Sequence, residues 1–143
     1  MPLPDRFEAN DDAGPAAFRL WGQGRTVEAT IDFWDDQSDV YAIRVRGEER
    51  IVATLKGPGA ARLFLWQPGT TQVEGLSVGL QKMRVAQSLP QGTNQRVAYR
   101  APVRRGGWYF LQVKIGSPAS GPYTLTYAKT PKPAPKPAPR RKP

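Results

Sequence analysis

Residues 40–46, VYAIRVR, alternate: Tyr41, Ile43 and Val45 fall on one side of an extended chain, and Arg44 and Arg46 on the other. A repeat of two is that of a β-strand, in which successive side chains point to opposite faces. One apolar and one charged face suits an antiparallel sheet packed on a core and wetted on its other side.

Outward from this stretch the pattern recurs. TVEATID (26–32) sets Val27, Ala29 and Ile31 against Glu28 and Thr30. RIVATLK (50–56) is more continuously apolar and stops at GPG, while ARLFLW (61–66) stops at QPG. Both are strong turn signals. QRVAYRA (95–101) opposes Val97 and Tyr99 to Arg96, Ala98 and Arg100. GWYFLQVKI (107–115) groups Tyr109, Leu111, Val113 and Ile115, and PYTLTYA (122–128) groups Tyr123, Leu125 and Tyr127 against Thr124 and Thr126. Residues 71–94 are expected to hold one more strand around Leu80–Ala86 and a long loop. No window of a dozen residues carries a helical period. The fold class expected is all-β, an antiparallel β-sandwich of jelly-roll type with about eight strands.

Charge divides the chain. Residues 1–39 hold nine of the twelve acids, residues 40–128 carry twelve basic side chains against three acids, and residues 129–143 carry six basic side chains and no acid. The last stretch, KTPKPAPKPAPRRKP, also holds six of the fifteen prolines and nothing able to form a core. Its prolines at 131, 133, 135, 137 and 139 are two apart, not the three that an SH3-type ligand needs. The organisation expected is therefore an acidic leading segment (1–25) docking on the sandwich, a sandwich domain (26–128) and a Pro/Lys/Arg-rich disordered tail (129–143). At 143 residues the chain suits one domain, and no apolar run approaches the roughly 18 residues needed to cross a bilayer as a helix. The opening MPLPDRFEAND has no basic stretch followed by an apolar one, so no signal peptide is expected in it.

The residues that are missing narrow the chemistry. With no histidine and no cysteine, the chain cannot build a Ser-His-Asp triad, a Cys-His pair or the usual zinc sites. GQG (22–24) lacks the later glycine and helix of a phosphate loop. The acids crowd into turn-rich sequence rather than facing each other across a cleft. The chain is expected not to be an enzyme. The basic tail offers salt-sensitive attraction to any polyanion, but the body carries no recognition motif and the acidic start repels phosphates, so nucleic acid is not expected as a partner.

The acids themselves have two readings. Asp and Asn in loops commonly cap backbone donors. Alternatively, DRFEANDDAG (5–14) and WDDQSDVYAIRV (34–45) together offer carboxylate and amide oxygens of the kind calcium takes, six to eight at a time.

Three stretches carry a resemblance to a known family. DRFEANDDAGPAAFRL, DDQSDVYAIRV and GGWYFLQVKIGSPASGPYTLTYA, in this order, resemble the acidic start, the Asp-x-x-Asp strand start and the closing hairpin of the bacterial pre-peptidase C-terminal domain. That family is a β-sandwich appended to secreted peptidases and is related to the collagen-binding modules of collagenases. The resemblance implies a non-catalytic accessory domain that aids secretion, folding or substrate targeting, with an upstream peptidase domain in the parent protein and an extracellular or cell-surface location. It also implies a structural calcium site whose matching positions are Glu8, Asn10, Asp11, Asp36 and Asp39. Arg6 departs from the pattern, standing where several members place another acid.

Alternation adds a candidate binding face. With Leu63, Leu65, Tyr109 and Leu111 inward, Phe64, Trp66, Trp108 and Phe110 turn outward beside Arg44, Arg46, Arg96 and Arg100. Such a face is a platform for an extracellular protein or polysaccharide polymer if exposed, and an ordinary packing surface if the 71–94 loop or a further domain covers it. The alternatives to the accessory domain are thus a free-standing binding module for collagen-like protein or polysaccharide, and a cell-surface structural protein whose basic tail contacts an anionic envelope.

Overall fold

The computed structural model describes residues 17–32, 38–57, 61–70, 73, 81–88, 94–115 and 120–131. Nine strands run through them: β1 (Phe18–Leu20), β2 (Gly24–Asp32), β3 (Ser38–Val45), β4 (Arg50–Lys56), β5 (Ala61–Trp66), β6 (Arg84–Gln87), β7 (Asn94–Arg100), β8 (Gly107–Ile115) and β9 (Ser120–Thr130). They form a five-stranded sheet in the order β1-β3-β8-β5-β6 and a four-stranded sheet in the order β2-β9-β4-β7. From β2 to β5 the chain crosses from one sheet to the other at every step, and it does so again from β6 to β9. This is a jelly roll. The ninth strand is β1, three residues long, which adds parallel to the edge of β3 with Leu20 opposite Ile43.

The core lies where the inward residues of the two sheets meet. Val27 and Ile31 on β2, Ile51 and Leu55 on β4, and Leu125 on β9 face Ile43 and Val45 on β3, Leu63 and Leu65 on β5, and Leu111 and Val113 on β8. All are buried, and each aliphatic side chain so enclosed is worth about 1.5–3 kcal/mol. The outer face of the four-stranded sheet stays polar: Thr26 and Thr126 sit opposite each other in register with hydroxyls 3.2 Å apart.

The middle of the five-stranded sheet is buried on both faces, and this corrects the expectation of an exposed aromatic platform. Phe64, Trp66 and Phe110 do point away from the core, but they are only 7%, 2% and 6% exposed. They pack with Val40, Ala42 and Val73 into a second apolar cluster, against which Ala17, Met83 and Trp108 also lie. A strand covered on both sides reads as β3 does, with Val40, Tyr41, Ala42 and Ile43 all buried. One polar side chain belongs to this cluster's floor. Gln112 accepts a hydrogen bond from the Trp66 indole N–H at 2.9 Å and donates to Ser38 Oγ at 3.0 Å.

The ends of the sandwich differ from the expected boundaries. Strand β1 and the start of β2 fall inside the leading segment, and β9 runs to Thr130, so Lys129 belongs to a sheet rather than to the tail.

Candidate functional site

Gly22 adopts φ +103°, a left-handed conformation that favours glycine, and so lets the chain turn sharply between β1 and β2. The turn is held from below by β9. The Tyr127 hydroxyl donates towards both Gly22 O, at 3.1 Å, and Trp21 O, at 3.3 Å, and the Lys129 backbone N–H donates to Gln23 O at 2.7 Å. Trp21 is thereby presented outward, 62% exposed.

Trp21 does not stand alone. Trp108, on β8, meets it at a centroid distance of 5.0 Å and an interplanar angle of 88°, an edge-to-face pair. The Arg19 guanidinium lies 5.0 Å from the Trp108 ring centroid. Register places Arg44 directly opposite Trp108 on the neighbouring strand. Between Trp21, Gly22, Gln23, Arg44, Arg46 and Lys129 a cleft of about 300 Å³ opens at this end of the sandwich.

The cleft is cationic. Lys129 Nζ donates one hydrogen bond to Arg44 O at 2.7 Å, tying the two sheets together. Burial pushes the Lys129 ammonium below its ordinary range; Glu49 opposes that shift, while Arg46 and Arg44 reinforce it. Glu49 is only 4% exposed, and its two oxygens accept from the Arg46 backbone N–H at 3.1 Å and from the Gln23 side-chain amide at 3.4 Å. The buried acid therefore organises the floor, and the Arg44 and Arg46 side chains reach into solvent.

Of the expected calcium ligands, Asp39 is described, while Glu8, Asn10, Asp11 and Asp36 lie outside the described residues. Asp39 is wholly buried and points inward, on the same side of β3 as Tyr41. The Tyr123 hydroxyl donates to its carboxylate, and the Tyr41 and Tyr123 hydroxyl oxygens are 2.5 Å apart. Burial, then the Asp39 charge and Tyr41, drive the Tyr123 phenol far above its usual range, so it remains a donor at neutral pH. This chain of groups links β3 to β9. Among the described residues no three acids gather into a metal-sized group.

None of the expected binding residues lines the cleft; Trp108 touches it only through Trp21, and Phe64, Trp66 and Phe110 belong to the covered cluster. Trp21 and Lys129 escape a strand-by-strand reading of the chain. Trp21 sits in a turn, and Lys129 opens a Pro/Lys composition that looks like tail.

The architecture is similar to that of a pre-peptidase C-terminal domain. The crystal structure of that domain from the collagenase of Bacillus anthracis superposes with a TM-score of 0.57 at 18% identity, covering 78% of this chain and 93% of that domain. The same fold occurs in PliG, a periplasmic inhibitor of g-type lysozyme. The Aeromonas hydrophila protein matches with a TM-score of 0.57 at 12% identity over 80% of this chain and 96% of that one. The Salmonella Typhimurium protein matches at 0.51 and 14% identity over 80% and 98%. No protein-family profile and no curated protein sequence matches the chain.

Proposed function

We propose that this chain is a non-catalytic accessory module of a secreted peptidase, working outside the cell or at its surface by holding a partner rather than by transforming one. The observation that carries the reading is an exposed tryptophan, clamped by Tyr127 and Trp108 beside three cations, on a fold shared with the appended domain of a collagenase. The side chains nearest to acid–base chemistry, Asp39, Tyr41 and Tyr123, are sealed in the core where no substrate reaches them. Their arrangement suits a structural link. The parent peptidase domain would lie upstream, and the basic tail adds electrostatic contact with an anionic envelope. Calcium held by Asp39 together with Glu8, Asn10, Asp11 and Asp36 would fasten the leading segment to the sandwich.

Retention on insoluble collagen, chitin and cellulose tests the module, with Trp21→Ala and Trp108→Ala beside the unaltered chain. Binding to one of these polymers that either substitution weakens supports the reading. Absence of retention on all three, with no peptidase domain in the reading frame before residue 1, would remove it. A second reading rests on the likeness to the PliG inhibitors, which share the fold over nearly their whole length. In that case an equimolar amount of the chain should slow a g-type lysozyme; an unchanged rate discards inhibition.

A further inference from the structure

We infer that the cleft between Trp21 and Lys129 binds an acidic sugar unit, a saccharide carrying a carboxylate or sulfate, as the recognition element of an anionic polysaccharide. The inference rests on the binding-module reading and gives that module its ligand class. Three features of the cleft lead to it.

The first is Trp21. At 62% exposure, and held edge-to-face against Trp108, it keeps a broad indole surface open in a fixed orientation. The C–H face of a pyranose ring is apolar and weakly positive, and lies well against the electron-rich face of an indole. Because Tyr127 and Lys129 pin the turn that bears Trp21, little ordering is left to be done on binding.

The second is charge. Arg44 and Arg46 extend to solvent, and Lys129, after donating to Arg44 O, retains two further N–H donors. Glu49 offsets part of this charge by favouring the Lys129 ammonium, but it is one carboxylate beside three cations, and its oxygens already accept from the Arg46 backbone N–H and from Gln23. Charge-assisted bonds from guanidinium to carboxylate or sulfate are the strong ones, and the fork geometry favours planar anions. Burial and the Arg charges together disfavour the Lys129 ammonium, a cost that an anion placed between the three cations relieves.

The third is size. About 300 Å³ is the lower end of the roughly 300–1,000 Å³ typical of small-ligand sites, enough for one or two monomers of a polymer. Single-stranded nucleic acid asks for a longer basic groove with several stacking aromatics, which the one exposed indole among the described residues does not supply.

Titration calorimetry of the full chain tests this, with trigalacturonate and a heparin tetrasaccharide as probes and cellotriose and oligo(dT) as comparators. The expected result is measurable binding of at least one acidic oligosaccharide, weakened by added salt and undetectable for cellotriose. Trp21→Ala, and separately the pair Arg44→Gln and Arg46→Gln, should each weaken it about tenfold or more. These are exposed side chains, and every variant keeps the same basic tail. Trigalacturonate against heparin tetrasaccharide separates carboxylate from sulfate. Three results would overturn the inference: no binding of either acidic probe, binding that both variants leave intact, which assigns it to the tail, or equal binding of oligo(dT). Retention of the unaltered chain on collagen alongside any of these would leave the module reading standing and remove only the ligand class.

Discussion

Asp39 on β3 and Tyr123 on β9 are joined across the core, the buried carboxylate accepting a hydrogen bond from a phenol of the opposite sheet. An apolar core tolerates a carboxylate only when hydrogen bonds replace the water it has lost, so the pair acts as a unit. Tyr123→Phe removes the donor and keeps the ring. Stability should fall by about 1–3 kcal/mol, read as a lower urea midpoint. A midpoint equal to that of the unaltered protein would mean that Asp39 does not depend on Tyr123.

Three buried tyrosines make the fold sensitive to alkali. Burial first, then the Tyr99 charge and hydrogen bond, raise Tyr109 to about 12, with Arg105 pulling the other way; burial also raises Tyr127 and Tyr123. A phenol whose pKa is higher in the folded than in the unfolded chain stabilises the fold while protonated. Its contribution is complete below about pH 10 and is lost as the pH climbs through about 12. Phenolate absorbance and β circular dichroism, followed together, should therefore change in the same alkaline range. Full ionisation of the tyrosines with the sandwich intact would contradict the assignment.

Gln112 holds the outer cluster by bonding to Trp66 and Ser38. Gln112→Leu conserves volume but strands the Trp66 indole N–H in an apolar setting, a loss of about 1–3 kcal/mol. Denaturant unfolding followed by tryptophan fluorescence measures it. An unchanged midpoint would show that the indole finds another acceptor.

A methyl group on Gly47, in the turn after β3, would lie 2.3 Å from Val103 O. Gly47→Ala must therefore move backbone and should cost about 1–3 kcal/mol. Gly24→Ala is a milder comparison, its nearest contact being Tyr127 O at 3.2 Å. Thermal melts should rank the two in that order, and the reverse ranking would refute the close approach at Gly47.

Calcium, if bound by the folded chain alone, raises the melting temperature, and chelator lowers it again. Asp36→Ala and Asp39→Ala should each abolish that difference, whatever they do to the baseline. Identical melts with calcium and with chelator would return the acids to their other reading, as caps of backbone donors.

Much of the sandwich was legible because its strands are written locally. Val27, Ala29 and Ile31, or Tyr123, Leu125 and Tyr127, reach the core by alternation alone. Two strands were harder. The three residues of β1 are too few to show a period, and β6, read only as a strand near Leu80–Ala86, is a short edge strand of partly exposed residues at Arg84–Gln87. Alternation also turned Phe64, Trp66 and Phe110 to the correct side of their sheet. It carried no information on what covers that side, and Val73 and Met83 do.

The period-two pattern by itself determined a two-sheet β fold, its inward residues and the absence of histidine or cysteine chemistry, since strand facing and composition are properties of neighbouring residues. Only the tertiary structure decided which aromatics remain in water and where cations gather. Trp21 and Tyr127 are 106 residues apart and meet because the jelly roll lays β2 beside β9; Arg44 and Lys129 meet because the two sheets stack. Contacts made by stacking and strand order have no local period, so a linear reading could not place them.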